Sequence, residues 1–297
     1  MRILVFGAGA VGSLVAALLS AQHEVVAVAR PPHAEEISRD GLRVEGLIRR
    51  TARFPCVDRT ALLPAGFSPE IAFVTVKSYD TRAACEALRP LRIPVAVTMQ
   101  NGLDNARDLE SAAPDVVVAL TALGVTVIGP GRIRYAGPGR TVVGAWRGRA
   151  ESAEVVARIL TDGGIPAERV VDVQRELWLK AAVNAGINPL TAMHRVANGR
   201  LLEDPDWSRE LREAAREVAR VAAAAGVAIR EDEAEARALE VAAATGENRS
   251  SMLQDVERGR RTEIEAISGA VIAEARRRRI AVPVNERLYR SVRALGA

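Results

Sequence analysis

Three polar residues lie at helical spacing in an otherwise apolar segment between Glu176 and Ala192. At about 3.6 residues per turn, Lys180 and Asn184 share one stripe of a helix, and Asn188 lies close to it. The apolar remainder predicts a buried helix, in which an ammonium and two amides without partners would be costly. We therefore expect these side chains either to satisfy one another or to face a pocket for a polar ligand, and lysine and asparagine in register favour the pocket.

Lysine is rare in this chain. Lys77 and Lys180 are the only lysines among 41 basic residues, and the other 39 are arginines. A codon bias toward arginine explains the general excess, and chance remains an alternative explanation for two residues. However, a remaining lysine indicates a role that arginine cannot fill, that of a compact ammonium that releases its proton when burial lowers its pKa.

The size and charge of the chain exclude several functional classes. Its 297 residues predict two domains, and the formal net charge of +4 is spread evenly enough to argue against a nucleic-acid partner. Four arginines at 276–279 are interpreted as the last turn of a helix. No apolar stretch is long enough to span a bilayer, so we expect no membrane partner.

Cysteine usage and the start of the chain bear on cellular location. Cys56 and Cys85 have neither metal-site nor disulfide-framework spacing, which predicts free thiols in a reducing compartment and no bound metal. The first predicted strand begins at Arg2, which leaves no room for a signal peptide. We expect a cytoplasmic protein.

The first 30 residues alternate strand, glycine-rich turn, helix and strand. Apolar runs from Ile3 to Phe6 and from Val25 to Ala29 flank the helix. The turn between the first run and the helix consists of Gly7, Ala8, Gly9, Ala10, Val11 and Gly12. This context makes GxGxxG typical of a dinucleotide-binding unit, in which the glycines permit a tight turn, approach of a pyrophosphate, and close packing. A glycine-rich turn that binds nothing is the alternative.

The residue after the second strand indicates which dinucleotide is preferred. An NAD site usually has an acidic residue there for the ribose 2′-hydroxyl, but this chain has Arg30 and no acid before Glu35. A guanidinium suits a 2′-phosphate, so we predict NADPH/NADP⁺ as the cofactor.

Two further polar positions follow predicted strands near 71–76 and 94–98. The alternation of strands and helices predicts an α/β fold with a Rossmann-type doubly wound sheet, in which ligands collect at the carboxyl ends of strands. Lys77 is predicted to contact a cofactor phosphate or ribose, although a solvated loop charge is the alternative. Asn101 is a candidate ligand-binding residue or a helix cap, and Gly102 permits close approach of a nicotinamide.

The rest of the chain predicts the end of this domain and a second, helical one. Residues 116–145 are interpreted as antiparallel hairpins that extend the sheet, followed by a helix over 151–161 and a last strand from Val170 to Val173. After Gln174 only helical patterns remain. We therefore predict an NADP-binding Rossmann domain at 1–174 and an all-α substrate-binding and catalytic domain at 175–297, whose Ala-rich helices could support a homodimer.

The helical domain contains a second unusual segment at 247–255, which leads to an acidic residue at the start of another helix. Asn248 and Ser251 lie in the first part and could be turn or cap residues. Glu263 is predicted in the first turn of a helix that begins at Thr262, where it could simply complement the helix dipole.

Together these motifs resemble the ketopantoate reductases (2-dehydropantoate 2-reductases) over essentially the whole chain. The resemblance rests on G-A-G-A-V-G at 7–12, T-V-K at 75–77, Q-N-G at 100–102, L-W-L-K-A-A-V-N-A-G-I-N-P-L-T-A at 177–192, E-N-R-S-S-M-L-Q-D at 247–255 and R-R-T-E-I-E at 260–265. It implies NADPH-dependent reduction of a small 2-oxo acid, ketopantoate, to (R)-pantoate in pantothenate and coenzyme A biosynthesis. Asp104 and the segment A-L-T-A-L-G-V at 119–125 depart from the family pattern.

The resemblance also implies a role for each matching residue. Lys180 would be the general acid that protonates the developing alkoxide, and Glu263 would bind and orient the substrate. The remaining substrate contacts would be Asn101, Asn184, Asn188, Ser251 and, more weakly, Asn248. Arg30 and Lys77 would contact the cofactor phosphates.

Two alternatives are compatible with the same architecture. A related NAD(P)-dependent 2-oxo or 3-hydroxy acid reductase could also place lysine and asparagine four residues apart, although the segment at 247–255 argues against it. A non-catalytic NADPH-binding regulator would have no need for Lys180 beside two asparagines.

Overall fold

The computed structural model describes residues 1–295. Within them the chain forms two compact units. The first contains Met1–Gln100 and Asn105–Val173. The second contains Asn101–Asp104 and the residues from Gln174 onward. The turn Asn101–Asp104 therefore belongs to the second unit, although the residues before and after it in the chain belong to the first.

Twelve strands lie in the first unit. In chain order they are β1 (Arg2–Phe6), β2 (Glu24–Val28), β3 (Leu42–Gly46), β4 (Arg50–Ala52), β5 (Cys56–Val57), β6 (Ile71–Val74), β7 (Val95–Thr98), β8 (Asp115–Thr121), β9 (Gly124–Gly129), β10 (Arg132–Gly137), β11 (Thr141–Arg147) and β12 (Ala167–Arg169). Five helices accompany them: α1 (Ala10–Leu19), α2 (His33–Asp40), α3 (Thr81–Leu88), α4 (Asn105–Leu109) and α5 (Ala150–Asp162).

The larger sheet has the order β12-β11-β8-β7-β6-β1-β2-β5. Its pairs are parallel except for antiparallel β8 and β11. Strand order reverses at β1, because β2 lies on one side of it and β6 on the other. Ligands of doubly wound sheets bind at such a reversal, beyond the carboxyl ends of the strands. The predicted Rossmann-type sheet is confirmed.

Burial explains why the central strands read as continuous apolar runs. Ile3, Leu4 and Val5 of β1 are fully buried, as are Ala72 and Phe73 of the neighbouring β6. A parallel strand covered on both faces needs apolar side chains at every position instead of alternate ones. Helix α1 packs on this sheet with small and aliphatic residues that are almost all buried.

The prediction for 116–145 was half right. Strands β8 and β11 form an antiparallel pair that extends the larger sheet. However, the β9–β10 hairpin belongs to a separate four-stranded sheet of order β4-β3-β10-β9. There β10 pairs in parallel with β3, a strand almost 90 residues earlier in the chain, and such a long-range pairing leaves no local pattern.

The predicted strand from Val170 to Val173 was wrong. The last strand is β12, which ends at Arg169, and Val173 already begins the next helix. Val170 keeps one hydrogen bond to the sheet, from its N–H to Val143 O at 2.9 Å. Val171 is 90% exposed, so the β-branched run is a turn between two elements.

The second unit is helical. Its helices are α6 (Val173–His194), which begins at the end of the first unit, α7 (Pro205–Ala224), α8 (Glu231–Ala244), α9 (Ser251–Glu257), α10 (Ala270–Arg278) and α11 (Pro283–Leu295). A π-helical turn at Glu265–Gly269 leads directly into α10. The arginines at 276–278 occupy the last turn of α10, as predicted. No helix within residues 1–295 is long and apolar enough to cross a membrane.

Candidate active site

The glycine loop between β1 and α1 has the geometry that its sequence predicts. Gly7 has φ of +100°, and a Cβ there would lie 2.6 Å from the backbone N of Val76. A Cβ on Gly12 would lie 2.6 Å from Gly7 O, so only glycine permits this close packing. At Gly9, by contrast, the nearest atom to such a Cβ is Gly7 O at 3.9 Å. Gly9 therefore faces open space that a ligand could fill.

Charged residues lie at the carboxyl ends of β2 and β6. Arg30 follows β2 with an 80% exposed side chain, and its guanidinium donates to Asp80 Oδ2 at 2.6 Å. Asp80 ends the 3₁₀ turn Ser78–Asp80, which begins directly after Lys77. The structure thus places the predicted phosphate ligands Arg30 and Lys77 near one acidic residue that the sequence interpretation did not consider.

A buried polar network supports the ends of β6 and β7. The Gln100 amide donates to Val76 O at 3.0 Å and to Thr81 Oγ1 at 2.8 Å. Thr81 in turn donates to Asn105 Oδ1 at 2.8 Å, and Asn105 donates to Ser78 Oγ at 3.3 Å. These bonds tie the turn after Lys77 to the Q-N-G turn. Gln100 is therefore a structural member of that motif, a role the sequence interpretation missed.

The Q-N-G turn meets the π-helical turn within the second unit. Gly102 has φ of +107°, and a Cβ there would lie 2.8 Å from Ala266 O and 2.9 Å from Ala266 Cβ. Asn101, which is half-buried, precedes this contact directly. Close backbone packing therefore requires glycine at position 102 and brings Asn101 toward the segment that carries Glu263.

Helix α6 carries the predicted polar stripe. Lys180 and Asn184 are half-buried, whereas Asn188 is only 6% exposed. Asn188 lies about one helical turn after Asn184 on α6, so the two amides share the predicted stripe. Because an amide in such surroundings is costly without a partner, both side chains are suited to a polar ligand.

The pKa of the Lys180 ammonium is lower than that of an ordinary lysine. Burial lowers the pKa of Lys180 to about 8, and the negative charge of Glu263 partly opposes that shift. Desolvation disfavours the charged form of an amine, so the proton is held less tightly than on a surface lysine. The charge of Glu263 therefore acts on Lys180 within the second unit.

Glu263 lies slightly earlier than predicted relative to its helix. The helical turn has Ile264 as its N-cap and begins at Glu265, so Glu263 is not in the first turn. Its carbonyl oxygen accepts hydrogen bonds from the N–H groups of Ala266 and Ile267, both at 3.1 Å. The carboxylate side chain is 8% exposed, a placement that favours a specific role over simple dipole complementation. π-Helical turns are frequent at functional sites.

The N-cap of α9 is Ser250 and not Ser251, the serine named from the sequence. Ser250 caps the helix by accepting from Leu253 N at 3.0 Å, and it also accepts from Thr191 Oγ1 of α6 at 2.7 Å. Ser251 is the first helical residue and is exposed. Asn248 is exposed, and its carbonyl accepts from Asn198 N at 2.9 Å. Two adjacent serines gave no local signal to decide which one caps the helix.

Among residues 1–295, the cysteines and the acidic residues show no metal-binding arrangement. Cys56 and Cys85 are buried free thiols, as predicted, and burial raises the pKa of Cys56 to about 12. In the part of the chain that the structure describes, no three His, Cys, Asp or Glu side chains cluster in a way that could hold an ion.

Comparison with known proteins identifies the family. Residues 3–148 match the family model Ketopantoate reductase PanE/ApbA, and residues 172–296 match its C-terminal counterpart. The chain belongs to the ketopantoate reductase family. The resemblance seen in the sequence motifs is therefore confirmed, and so is the assignment of the chain to the oxidoreductases.

Relatives of this ketopantoate reductase family member cover almost the whole chain. The 2-dehydropantoate 2-reductase of Archaeoglobus fulgidus is 39% identical over 99% of this chain and 97% of its own length. That of Halobacterium salinarum is 40% identical over 99% and 98%. The solved PanE/ApbA family ketopantoate reductase from Ralstonia eutropha JMP134 is 30% identical, with a TM-score of 0.90 over 100% of this chain and 98% of that one.

A second group of solved structures shares the fold. A ternary structure of D-mandelate dehydrogenase with NADH and anilino(oxo)acetate has a TM-score of 0.93 at 22% identity, over 100% of this chain and 98% of that one. At this identity the likeness concerns the architecture alone. Substrate class must therefore be argued from side chains and not from the fold.

Proposed function

We propose that this protein catalyses the NADPH-dependent reduction of 2-dehydropantoate to (R)-pantoate. The observation that carries the proposal is the pairing of Lys180, whose pKa burial lowers to about 8, with the buried carboxylate of Glu263. A surface lysine near pH 7 holds its proton too tightly for efficient transfer, whereas an acid with a pKa near the working pH is suited to general acid catalysis.

The bound cofactor would supply a hydride to the 2-oxo carbon, which leaves negative charge on the former carbonyl oxygen. Lys180 Nζ stabilises that charge electrostatically and then donates its proton to the oxygen, giving the hydroxyl group of the product. Lys180 is left as a neutral amine, which regains a proton from solvent before the next turnover.

Neighbouring residues of the second unit would bind and orient the substrate. The Asn184 and Asn188 amides can hydrogen-bond a carboxylate or hydroxyl group, and Glu263 can accept from a substrate hydroxyl. Asn101 is proposed as a further contact. Ser251 is proposed as another contact and Asn248 as a weaker candidate. Both residues are exposed, which leaves room for a ligand beside them.

The glycine loop fits a dinucleotide. Gly9 offers open space for a pyrophosphate at the N-terminus of α1, where backbone N–H groups and the helix dipole favour an anion. The loop residues Gly7, Ala8, Gly9, Ala10, Val11 and Gly12 would hold it, with Lys77 as a phosphate or ribose contact. Arg30 supports NADPH over NADH, because its exposed guanidinium can take a 2′-phosphate.

The test is oxidation of NADPH by the purified protein with 2-dehydropantoate, compared with phenylglyoxylate and small linear 2-oxo acids. We expect kcat/KM for 2-dehydropantoate to exceed the others by at least about 100-fold, as a site that hydrogen-bonds a substrate hydroxyl can achieve. Preference for phenylglyoxylate would instead favour a mandelate-type reductase. NADPH binding without turnover of any 2-oxo acid would favour a non-catalytic regulator.

Three further assignments complete the proposal. We propose a functional division into a Rossmann domain at 1–174 and a substrate domain at 175–297, a cytoplasmic location and a homodimer. The buried free thiols support a reducing compartment. Light scattering coupled to size-exclusion chromatography tests the assembly, since a mass near 31.8 kDa would exclude the dimer.

A further inference from the structure

A chain of hydrogen bonds connects the start of α2 to the glycine loop. His33 Nδ1 accepts from the N–H of Gly131 at 2.9 Å, and its Nε2 lies 3.0 Å from Ser13 Oγ. Ser13 Oγ donates to Ala8 O at 3.0 Å. We call these four groups the His33 relay. It joins the β9–β10 turn, α2, α1 and the loop that precedes Gly9.

The direction of every bond in the relay is determined by its ends. A backbone N–H can only donate, so His33 Nδ1 must be the acceptor for Gly131. The single proton of a neutral imidazole is then on Nε2, which donates to Ser13 Oγ. The hydroxyl proton of Ser13 goes to the Ala8 carbonyl. Burial lowers the pKa of His33 and so favours the neutral form that this arrangement requires.

The last acceptor controls the shape of the loop. The C=O and N–H groups of a trans peptide point in opposite directions within one plane. Holding Ala8 O against the fully buried Ser13 therefore fixes the plane of the peptide that joins Ala8 to Gly9. The preceding carbonyl, Gly7 O, is held separately by Thr75 Oγ1 at 2.8 Å. The two peptide groups that precede the exposed backbone of Gly9 are therefore both held in place, one through Gly7 O and one through Ala8 O.

The first part of the relay also determines where α2 begins. The N–H of His33 donates to Arg30 O at 3.1 Å, so the histidine lies one turn beyond Arg30. Fixing the imidazole between Ser13 and Gly131 therefore fixes the backbone that carries the guanidinium. The loop and Arg30, which contact different parts of a dinucleotide in the proposed function, share this single anchor.

We propose that His33 is a positioning residue for the dinucleotide, acting through Ser13 on the glycine loop and through its own backbone on Arg30. The proposal rests on the proposed function insofar as that function assigns the loop to NADPH. His33 does not need to contact the cofactor. Its effect is on cofactor affinity, and it leaves proton transfer at Lys180 unchanged.

Two conservative variants separate the two sides of the imidazole. His33→Gln keeps a donor at the position of Nε2 and loses the acceptor for Gly131, whereas His33→Asn keeps an acceptor at the position of Nδ1 and loses the donor to Ser13. Ser13→Ala removes the next group in the relay. Ser38→Ala is the matched control. Ser38 lies on α2, as His33 does, but its hydroxyl donates to Cys56 O, away from the loop.

The readout is the dissociation constant of NADPH, measured by calorimetry or fluorescence, together with kcat and KM. We expect His33→Asn and Ser13→Ala to weaken binding roughly five- to thirtyfold, with kcat at saturating NADPH within about twofold of wild type. Ser38→Ala should stay within about threefold of the wild-type affinity. His33→Gln keeps the donor to Ser13 but loses the bond from Gly131, so it should weaken binding less than His33→Asn does. The combined variant with His33→Asn and Ser13→Ala should be no weaker than either single variant, since both break the same relay.

Each result decides the proposal. Wild-type affinity in His33→Asn and Ser13→Ala would overturn it while leaving the proposed function intact. Equal losses in His33→Gln and His33→Asn would also overturn it, because the donor to Ser13 would then be irrelevant. If His33→Asn does not show a cooperative thermal transition, Ser13→Ala carries the same test. Failure of the wild type to bind NADPH would instead reject the cofactor assignment and, with it, a role in positioning NADPH.

Discussion

The Arg30 guanidinium donates to Asp80 Oδ2 at 2.6 Å, so the residue proposed to hold the 2′-phosphate of NADPH already has an anionic partner. Asp80 lies three residues after Lys77, the other proposed phosphate ligand. A phosphate that binds Arg30 must therefore compete with this carboxylate or share the guanidinium with it. The pair makes cofactor preference a balance between two anions instead of a property of Arg30 alone.

Removing the carboxylate at position 80 should favour NADPH. Asp80→Asn frees Arg30 and removes repulsion toward a 2′-phosphate, while NADH carries no charge at that position. An exposed ion pair is weak, so we expect the Kd of NADPH to fall by up to about fivefold and that of NADH to change by less than about twofold. Calorimetric titration with both dinucleotides measures this shift.

The control is Asp232→Asn in the second unit, which breaks an arginine–aspartate pair of similar arginine exposure, Arg230–Asp232. It should leave both affinities unchanged. Arg30→Asp should have the opposite effect to Asp80→Asn and weaken NADPH much more than NADH. Parallel changes for the two dinucleotides in Asp80→Asn would show that Arg30 does not read the 2′-phosphate.

Glu263 should control the pH range in which Lys180 works. The negative charge of Glu263 raises the pKa of Lys180 against the lowering caused by burial. Glu263→Gln removes that charge, so the pKa of Lys180 should fall and the alkaline decline of kcat/KM should move to lower pH. KM for the 2-oxo acid should rise as well, because a substrate contact is lost.

The matched control for this variant is Glu265→Gln. Glu265 lies two residues away, is exposed, and accepts from Tyr289 Oη at 2.6 Å. Its charge does not enter the pKa shift of Lys180, so its pH profile should overlay that of the wild type. A Glu263→Gln profile unchanged in position would contradict the electrostatic coupling between Lys180 and Glu263.

Gly102 should tolerate no side chain. Gly102→Ala combines a φ of +107° with a Cβ that would lie 2.8 Å from Ala266 O. We expect a loss of ~1–3 kcal/mol in the free energy of unfolding and a rise in KM through displacement of Asn101. Gly259→Ala is the comparison, since it has a φ of +61° but no atom within 4 Å of its Cβ.

Thermal and denaturant unfolding measure both variants. Gly259→Ala should lose less stability than Gly102→Ala and should keep the wild-type KM. Equal stability losses would mean that backbone strain, and not the contact with Ala266, makes glycine necessary at position 102.

Local patterns predicted those parts of the fold whose contacts are local. The β1–α1–β2 unit follows from apolar runs and a glycine loop within 30 residues, and α6 follows from its continuous apolar surface. The second sheet escaped prediction because β4 has only three residues, β3 and β4 each contain an arginine, and β3 pairs with a hairpin far along the chain. A strand was wrongly predicted from Val170 to Val173 because β-branched residues also occur in an exposed turn.

The site shows the same division. Lys180, Asn184 and Asn188 could be proposed because their spacing on one helix is visible in the sequence. Asp80, Gln100 and His33 were missed because their significance lies in partners that only the folded chain brings near. Ser250 was missed for another reason: either of two adjacent serines could cap α9, and only the folded chain shows that Leu253 N donates to Ser250.

The proton-donor role of Lys180 has the most direct test. Lys180→Arg keeps the charge but not an acid with a pKa near 8, and Lys180→Ala removes both. If donation is the central role, each variant should lose roughly 10² to 10⁴ in kcat, with arginine nearly as poor as alanine. NADPH binding should persist, because the glycine loop belongs to the other unit.

In the wild type, the protonated donor disappears as pH rises through about 8, so kcat/KM for reduction should decline above that pH. Oxidation of pantoate requires the neutral amine and should therefore increase over the same range. Both trends should vanish in Lys180→Ala, and an arginine variant within about threefold of wild type would leave Lys180 as a positive anchor for the substrate and nothing more.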